Sequence, residues 1–196
     1  MATRESIIEK AKYCLSESTN AGVNFIDDNI LPVEHFVDEA GRRVIMLAPL
    51  RVLGEGQTFS GLASVNKGVV EIELPNDFIR LISFKMEDWE RAVQTPIYDT
   101  DPQYAWQLHP ATRGGKTKPV VAITNGGTKL EGYTTSDDDT IKNFQYFAYT
   151  SINDNFPEKL EDATAWMTAS LYLASMGELD MAKVLESKSI ELLQLV

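Results

Sequence analysis

The chain has 196 residues, 18 of them basic and 29 acidic, for a formal net charge of -11. That length supports one domain or two small lobes around a real core. Hydrophobic residues at 43% and charged residues at 24% exclude a wholly disordered chain, a collagen and a coiled-coil rod.

The N-terminus reads as a helix. Ile7, Ile8, Ala11, Cys14 and Leu15 recur at three- and four-residue steps, the period of one helical face. Ser6-Ile7-Ile8-Glu9 fits a capping box, and Thr3 offers an earlier start. The polar stretch through Gly22 to Asn24 ends this helix. A second helix is predicted over residues 31–47, with Pro32 in its first turn. Val33, Phe36, Val37, Ala40, Val44 and Leu47 make its stripe. Gly41 weakens it by about 1 kcal/mol relative to alanine, and Pro49 marks its end.

The middle of the chain changes character. Of the 18 aromatic residues, 12 fall between residues 54 and 150. Val70, Ile72 and Leu74 alternate with Glu71 and Glu73, the period of a half-buried strand. Residues 79–86, 120–124 and 144–150 also read as strands. Asn125-Gly126-Gly127 signals a hairpin, because these residues tolerate positive φ. Five to seven strands in a small antiparallel sheet or barrel are expected.

The C-terminus returns to helix. Leu160, Ala163, Met167, Leu171 and Ala174 share one face, with Trp166 and Leu173 beside it. Gly177 breaks the run as a helix cap. Ala182, Leu185, Ser189, Leu192 and Val196 trace a second stripe, widened by Met181, Ile190 and Leu193. A short connection implies an antiparallel pair. The predicted fold class is therefore α+β. An N-terminal helical pair (1–53) and a C-terminal helical hairpin (151–196) form a four-helix bundle, with a β-rich lobe (54–150) inserted between them.

Several functions have little support in the residues. No apolar run reaches the roughly 18 to 20 residues of a bilayer span. The opening Met-Ala-Thr-Arg-Glu carries charges where a signal peptide needs an apolar stretch. The single cysteine, Cys14, has no partner for an internal disulfide, which fits a reducing compartment. The acidic balance argues against a protein that grips nucleic acid, which needs clustered Lys and Arg. Residues 151–196 carry 3 basic and 8 acidic side chains and are the most acidic segment for their length.

Gly114-Gly115-Lys116-Thr117 looks like the end of a phosphate-binding loop. However, Pro110 stands where the first glycine is needed, and Pro119 follows too soon for a helix. The better reading is a basic loop of Arg113, Lys116 and Lys118, the candidate contact with a partner. Asp99 and Asp101, and the run Asp137-Asp138-Asp139, suit turns better than a cation site, although ion binding by the run stays open. His35 and His109 have no spacing that suggests zinc, and Cys14 lies on an apolar helix face. No catalytic, cofactor-binding or metal-ligating set emerges.

The layout carries a resemblance along most of the chain. The N-terminal part closes from Leu31-Pro32 to Ala48-Pro49. The middle runs through Glu73-Leu74-Pro75-Asn76-Asp77-Phe78-Ile79-Arg80, Trp89-Glu90-Arg91-Ala92-Val93, Arg113-Gly114-Gly115 and Lys118-Pro119-Val120. An aromatic strand, Phe156-Pro157 and an alanine-rich helix pair follow. In this order the chain resembles the head–tail connector (adaptor) proteins of tailed bacteriophages, the tail tubular A type of short-tailed phages in particular.

The resemblance implies a non-enzymatic virion protein made in the host cytoplasm, with no cofactor and no membrane. About a dozen copies would form a ring below the portal and contact other tail proteins. DNA would pass through the channel without specific binding, eased by acidic walls. An alternative is a carbohydrate- or peptide-binding module in which Trp89, Tyr98, Tyr104 and Trp106 stack on rings. A hydrolase using Asp99, Asp101 and His109 is a third and weaker reading.

Overall fold

A computed structural model of the chain describes residues 2–18, 32–54, 56–61, 63–149, 151–152 and 156–195. In chain order these form α1 (Arg4–Ser18), α2 (Val37–Leu47), α3 (Leu50–Leu53), β1 (Gln57–Thr58), β2 (Ala63–Asn66), β3 (Val69–Glu73) and β4 (Phe78–Met86). Then come β5 (Ile97–Tyr98), α4 (Tyr104–Gln107), β6 (Val121–Thr124), β7 (Lys129–Tyr133), β8 (Ile141–Ala148), α5 (Glu161–Ser175) and α6 (Leu179–Leu195). The chain divides into two compact units, Met1–Gly54 with Tyr149–Val196, and Glu55–Ala148. The helix end expected at Gly22, the start at Leu31 and the strand end at Thr150 lie outside the described residues.

In the helical unit, α1 starts at Thr3 rather than Ser6. The Ser6 N–H donates to Thr3 Oγ1 and the Thr3 N–H to Ser6 Oγ, both at 3.1 Å, a reciprocal cap. The second helix begins later than its stripe suggests. Pro32 is extended and leads into a 3₁₀ turn (Val33–Phe36) before α2. Ala48 leaves the helix at ψ 145, as a residue before proline should. Gly41 is where the chain returning from the β unit lies close. A Cβ there would meet the Tyr149 hydroxyl, with Tyr149 Cζ at 3.1 Å and Ile152 Cδ1 at 3.2 Å.

The expected four-helix bundle is not what the structure contains. The helices are scattered, and α3 and α4 are single turns outside any such bundle. In the helical unit α1, α2 and α6 each pack chiefly on α5, while α1 and α2 barely meet. The reason lies in α5 itself. It buries Ala163, Thr164, Ala165, Met167, Thr168, Ala169, Ser170, Tyr172 and Leu173, which point in every direction around its axis. A helix that is small or apolar all round becomes a centre rather than one side of a bundle. Its hydroxyls are satisfied within helices: Thr164 and Thr168 donate to the carbonyls four residues back, at 2.7 and 2.8 Å. Ser170 donates to Ala182 O and Ser189 of α6 to Ala163 O, both at 2.7 Å, which ties the two helices together. No described helix is long and apolar enough to cross a membrane.

The β unit is also not one sheet or barrel. It has a three-stranded sheet, β1-β8-β4, and a five-stranded sheet, β2-β3-β7-β6-β5, antiparallel except for β5 beside β6. Both contribute to one core: Val70, Ile72, Val121, Ile123 and Leu130 from one sheet, and Leu81, Phe84, Met86, Phe144 and Tyr146 from the other. The chain changes sheets at Leu74-Pro75, where proline has no N–H for the ladder, and the Phe78 N–H closes a turn on Pro75 O at 3.0 Å. Asn125-Gly126-Gly127 joins β6 to β7 with φ of 54, 65 and 92. β2 and β3 meet at Lys67-Gly68, whose φ of 52 and 76 suit a two-residue hairpin turn.

Candidate partner-contact surface

At one end of the β unit, four connections are tied to one another by hydrogen bonds. They are the Lys67-Gly68 turn, residues 86–90 after β4, residues 107–118 before β6 and residues 134–140 after β7. The Asp88 carboxylate accepts from Lys116 Nζ at 2.6 Å, the Ser136 N–H at 3.0 Å and Ser136 Oγ at 3.1 Å. Asp139 accepts from Thr135 Oγ1 at 2.7 Å and from the Asp88 N–H at 3.3 Å. Burial works against the charge on Asp88. The hydrogen bonds accepted from Lys116 and Ser136 outweigh it and hold the carboxyl below its ordinary value.

The basic loop is therefore used largely inside the molecule. Arg113 donates from Nε to Gln107 O at 2.8 Å and from one terminal nitrogen to Lys67 O at 3.0 Å, with its guanidinium 5.9 Å from the Tyr133 ring. Lys116 is held by Asp88 and by Ser136 Oγ at 3.0 Å. Thr117 donates to Glu90 at 3.1 Å, and the Glu90 N–H to Lys116 O at 3.0 Å. Lys118 is exposed. Gly114-Gly115-Lys116-Thr117 leads into no helix, so it offers no phosphate cradle of the usual kind. Of the three predicted contact residues, two brace the loop and Lys118 faces solvent.

What the brace presents is apolar. Tyr98, Trp106 and Leu108 are 49%, 62% and 54% exposed, and among described residues they are the exposed large hydrophobics of the β unit. All lie within residues 97–108. Gln107, between Trp106 and Leu108 in the chain, is buried and accepts the Gly114 N–H on Oε1 at 2.9 Å. Thr112 Oγ1 donates to Trp106 O at 2.5 Å. Exposed aromatics on a braced backbone lose little entropy on binding, which is the character of an interface anchor. Asp88, Gln107, Thr135 and Ser136 were not predicted, and Asp139 was expected only in a turn. The signal available for them was only their position beside glycine and turn residues.

The other candidates separate. Trp89 is 2% exposed and donates to Thr134 O at 3.2 Å, so it belongs to the core and not to a stacking platform. Tyr104 and Tyr133 hydroxyls both reach Glu131, at 3.4 and 2.7 Å; burial and then that carboxylate raise the Tyr133 phenol well above its ordinary value. Asp101 accepts the Gln103 N–H at 2.8 Å and Asp139 the Thr140 N–H at 2.9 Å, which are turn roles, while Asp137 accepts the Gly68 N–H of the β2–β3 turn at 3.2 Å. Among the described residues no group of three His, Cys, Asp or Glu is placed to hold a metal ion. His35 and His109 are exposed. Cys14 is buried, which with Glu17 pushes its thiol up to about 11. In the C-terminal segment, Glu161 and Asp162 both pair with Lys10, at 3.3 and 2.6 Å, while Glu178, Asp180 and Glu191 are exposed. In comparisons with known proteins, no family model and no curated sequence matches the chain.

Proposed function

We propose that this chain is a structural, ring-forming head–tail connector (adaptor) of a tailed-phage virion, joining the portal to the tail around the DNA channel. The observation that carries the reading is the layout. The two ends of the chain build one helical unit around α5, and residues 55–148 build a separate β unit, in the order the family resemblance implies. A ring of identical copies needs two different contact surfaces on each copy. The braced segment 97–108 supplies one with aromatic anchors. The exposed Met46, Leu47, Val184 and Leu195 of the helical unit supply apolar positions for another. Exposed carboxylates of α6 suit a wall along which DNA slides without being held.

The test is co-assembly with the portal protein of the same genome. The purified chain, mixed with intact portal, is expected to co-sediment as a multi-copy ring. A chain that stays free beside an intact portal would overturn the reading. Monomer alone would not, because assembly on the portal is the claim.

A further inference from the structure

The five-stranded sheet has one unguarded edge. Its far edge, β5, is two residues long, follows Pro96, and turns Tyr98 O back to accept the Asp101 N–H at 2.9 Å. In the other sheet β1 has two residues, and β4 shifts register three times, carries Arg80 and Lys85, and bridges Val93 on its outer side. Shortness, proline, bulges and charge are the usual defences of a sheet edge. β2, Ala63-Ser64-Val65-Asn66, has none of the last three.

The hairpin register shows which groups face out. A two-residue turn is closed by a hydrogen-bonded pair, here Asn66 with Val69, and such pairs alternate along the ladder. Asn66 and Ser64 therefore bond to β3. Ala63 and Val65 point their N–H and C=O groups away from the sheet, and among the described residues no hydrogen bond reaches them. The strand is held still from its turn. Arg113 bonds Lys67 O at 3.0 Å, the Gly68 N–H donates to Asp137 at 3.2 Å, and the Thr134 N–H donates to Gly68 O at 2.8 Å.

We infer that β2 is a self-pairing edge whose occupant is a second copy of this chain. Antiparallel pairing centred on Ser64 sets Ala63 opposite Val65 of the second copy, and Val65 opposite its Ala63. Both are then hydrogen-bonded pairs, so all four outward N–H and C=O groups of each copy's two residues are satisfied. Shifting the centre to Ala63 or Val65 satisfies half as many. Ser64 meets Ser64 between them, and no charge on the strand opposes itself. Val65, half-buried against the β core, gains apolar cover from Ala63. The contact is two-fold and uses β2 alone, so it stands apart from the contacts of a ring.

Sedimentation equilibrium of the full chain over a concentration series tests this. The chain is expected to pass reversibly from one to two copies. Ser64→Lys and Ser64→Glu each put like charges face to face, so each variant alone should sediment at half the dimer mass. An equal mixture of the two should restore the dimer. Val65→Pro removes an outward N–H that makes no bond among the described residues, and should also give monomer. Circular dichroism of the Ser64 variants checks that they fold. A chain that is monomeric at every concentration, or a dimer that Ser64→Lys leaves intact, would overturn the inference.

Discussion

Gly41→Ala sets helix propensity against packing, and the structure says which prevails. Alanine in the interior of α2 should gain about 1 kcal/mol over glycine. At Gly41, however, the new methyl would run into the Tyr149 hydroxyl, with Cζ at 3.1 Å and Ile152 Cδ1 at 3.2 Å. That hydroxyl donates to Asp38 O at 2.8 Å, so displacing the ring also breaks a hydrogen bond. Overpacking of this kind costs about 1–3 kcal/mol, and a part-buried hydrogen bond about 1 kcal/mol or more. The net expectation is a loss of about 2 kcal/mol. Tyr149→Phe removes the clashing oxygen at a cost of about 1 kcal/mol. In that background Gly41→Ala should cost under about 1 kcal/mol, leaving a coupling of about 1–2 kcal/mol between the sites. Urea unfolding followed by circular dichroism, with unchanged m-values, measures all four variants. If Gly41→Ala raises stability by the full helix-propensity gain, the packing argument fails.

Three further outcomes follow from the loop junction. Despite partial burial, Asp88 is held below its ordinary 3.8 by the hydrogen bonds it accepts from Lys116 and Ser136, so its ionised form stabilises the fold. A depressed carboxyl contributes above its unfolded value and loses that contribution as pH falls, here from about pH 5 towards 2. The stability gap between the native chain and Asp88→Asn should thus close over that window, and a gap independent of pH contradicts the assignment. Arg113→Lys cannot keep the two-armed contact with Gln107 and Lys67; it should cost about 1–2 kcal/mol and speed hydrogen exchange at Gly68 and Thr134. Trp106→Ala should change stability by less than about 0.5 kcal/mol, since the side chain is exposed. The same variant should weaken portal binding at least about thirtyfold, as loss of an anchor does, and undiminished binding removes Trp106 from the interface.

Local pattern in the sequence located most elements. The alternation at 70–74, the Asn125-Gly126-Gly127 turn and the break at Gly177 each rest on neighbours within a few residues, and each has its counterpart in the structure. Arrangement was harder to read. The α5 stripe looks like one face of a bundle, but Thr164, Thr168 and Ser170 return their hydroxyls to backbone carbonyls and so can be buried too. Polarity in the sequence hid that. Residues 70–74 and 79–86 read as two strands, but their membership of two different sheets depends on partners far along the chain. The same limit applies to the contact surface. Arg113 and Lys116 read as free charges because their partners, Lys67 and Gln107 for one and Asp88 and Ser136 for the other, come together only through the fold. Segment 97–108 has no periodic pattern, so its sequence does not show that Tyr98 and Trp106 are exposed while Gln107 is buried.

The most direct measurement is electron cryo-microscopy of the chain assembled on the portal of its own genome. The account predicts a single ring of about a dozen copies on the tail side of the portal, with segment 97–108 at a protein contact and the α6 carboxylates towards the channel. An intact portal that carries no density for this chain would contradict it.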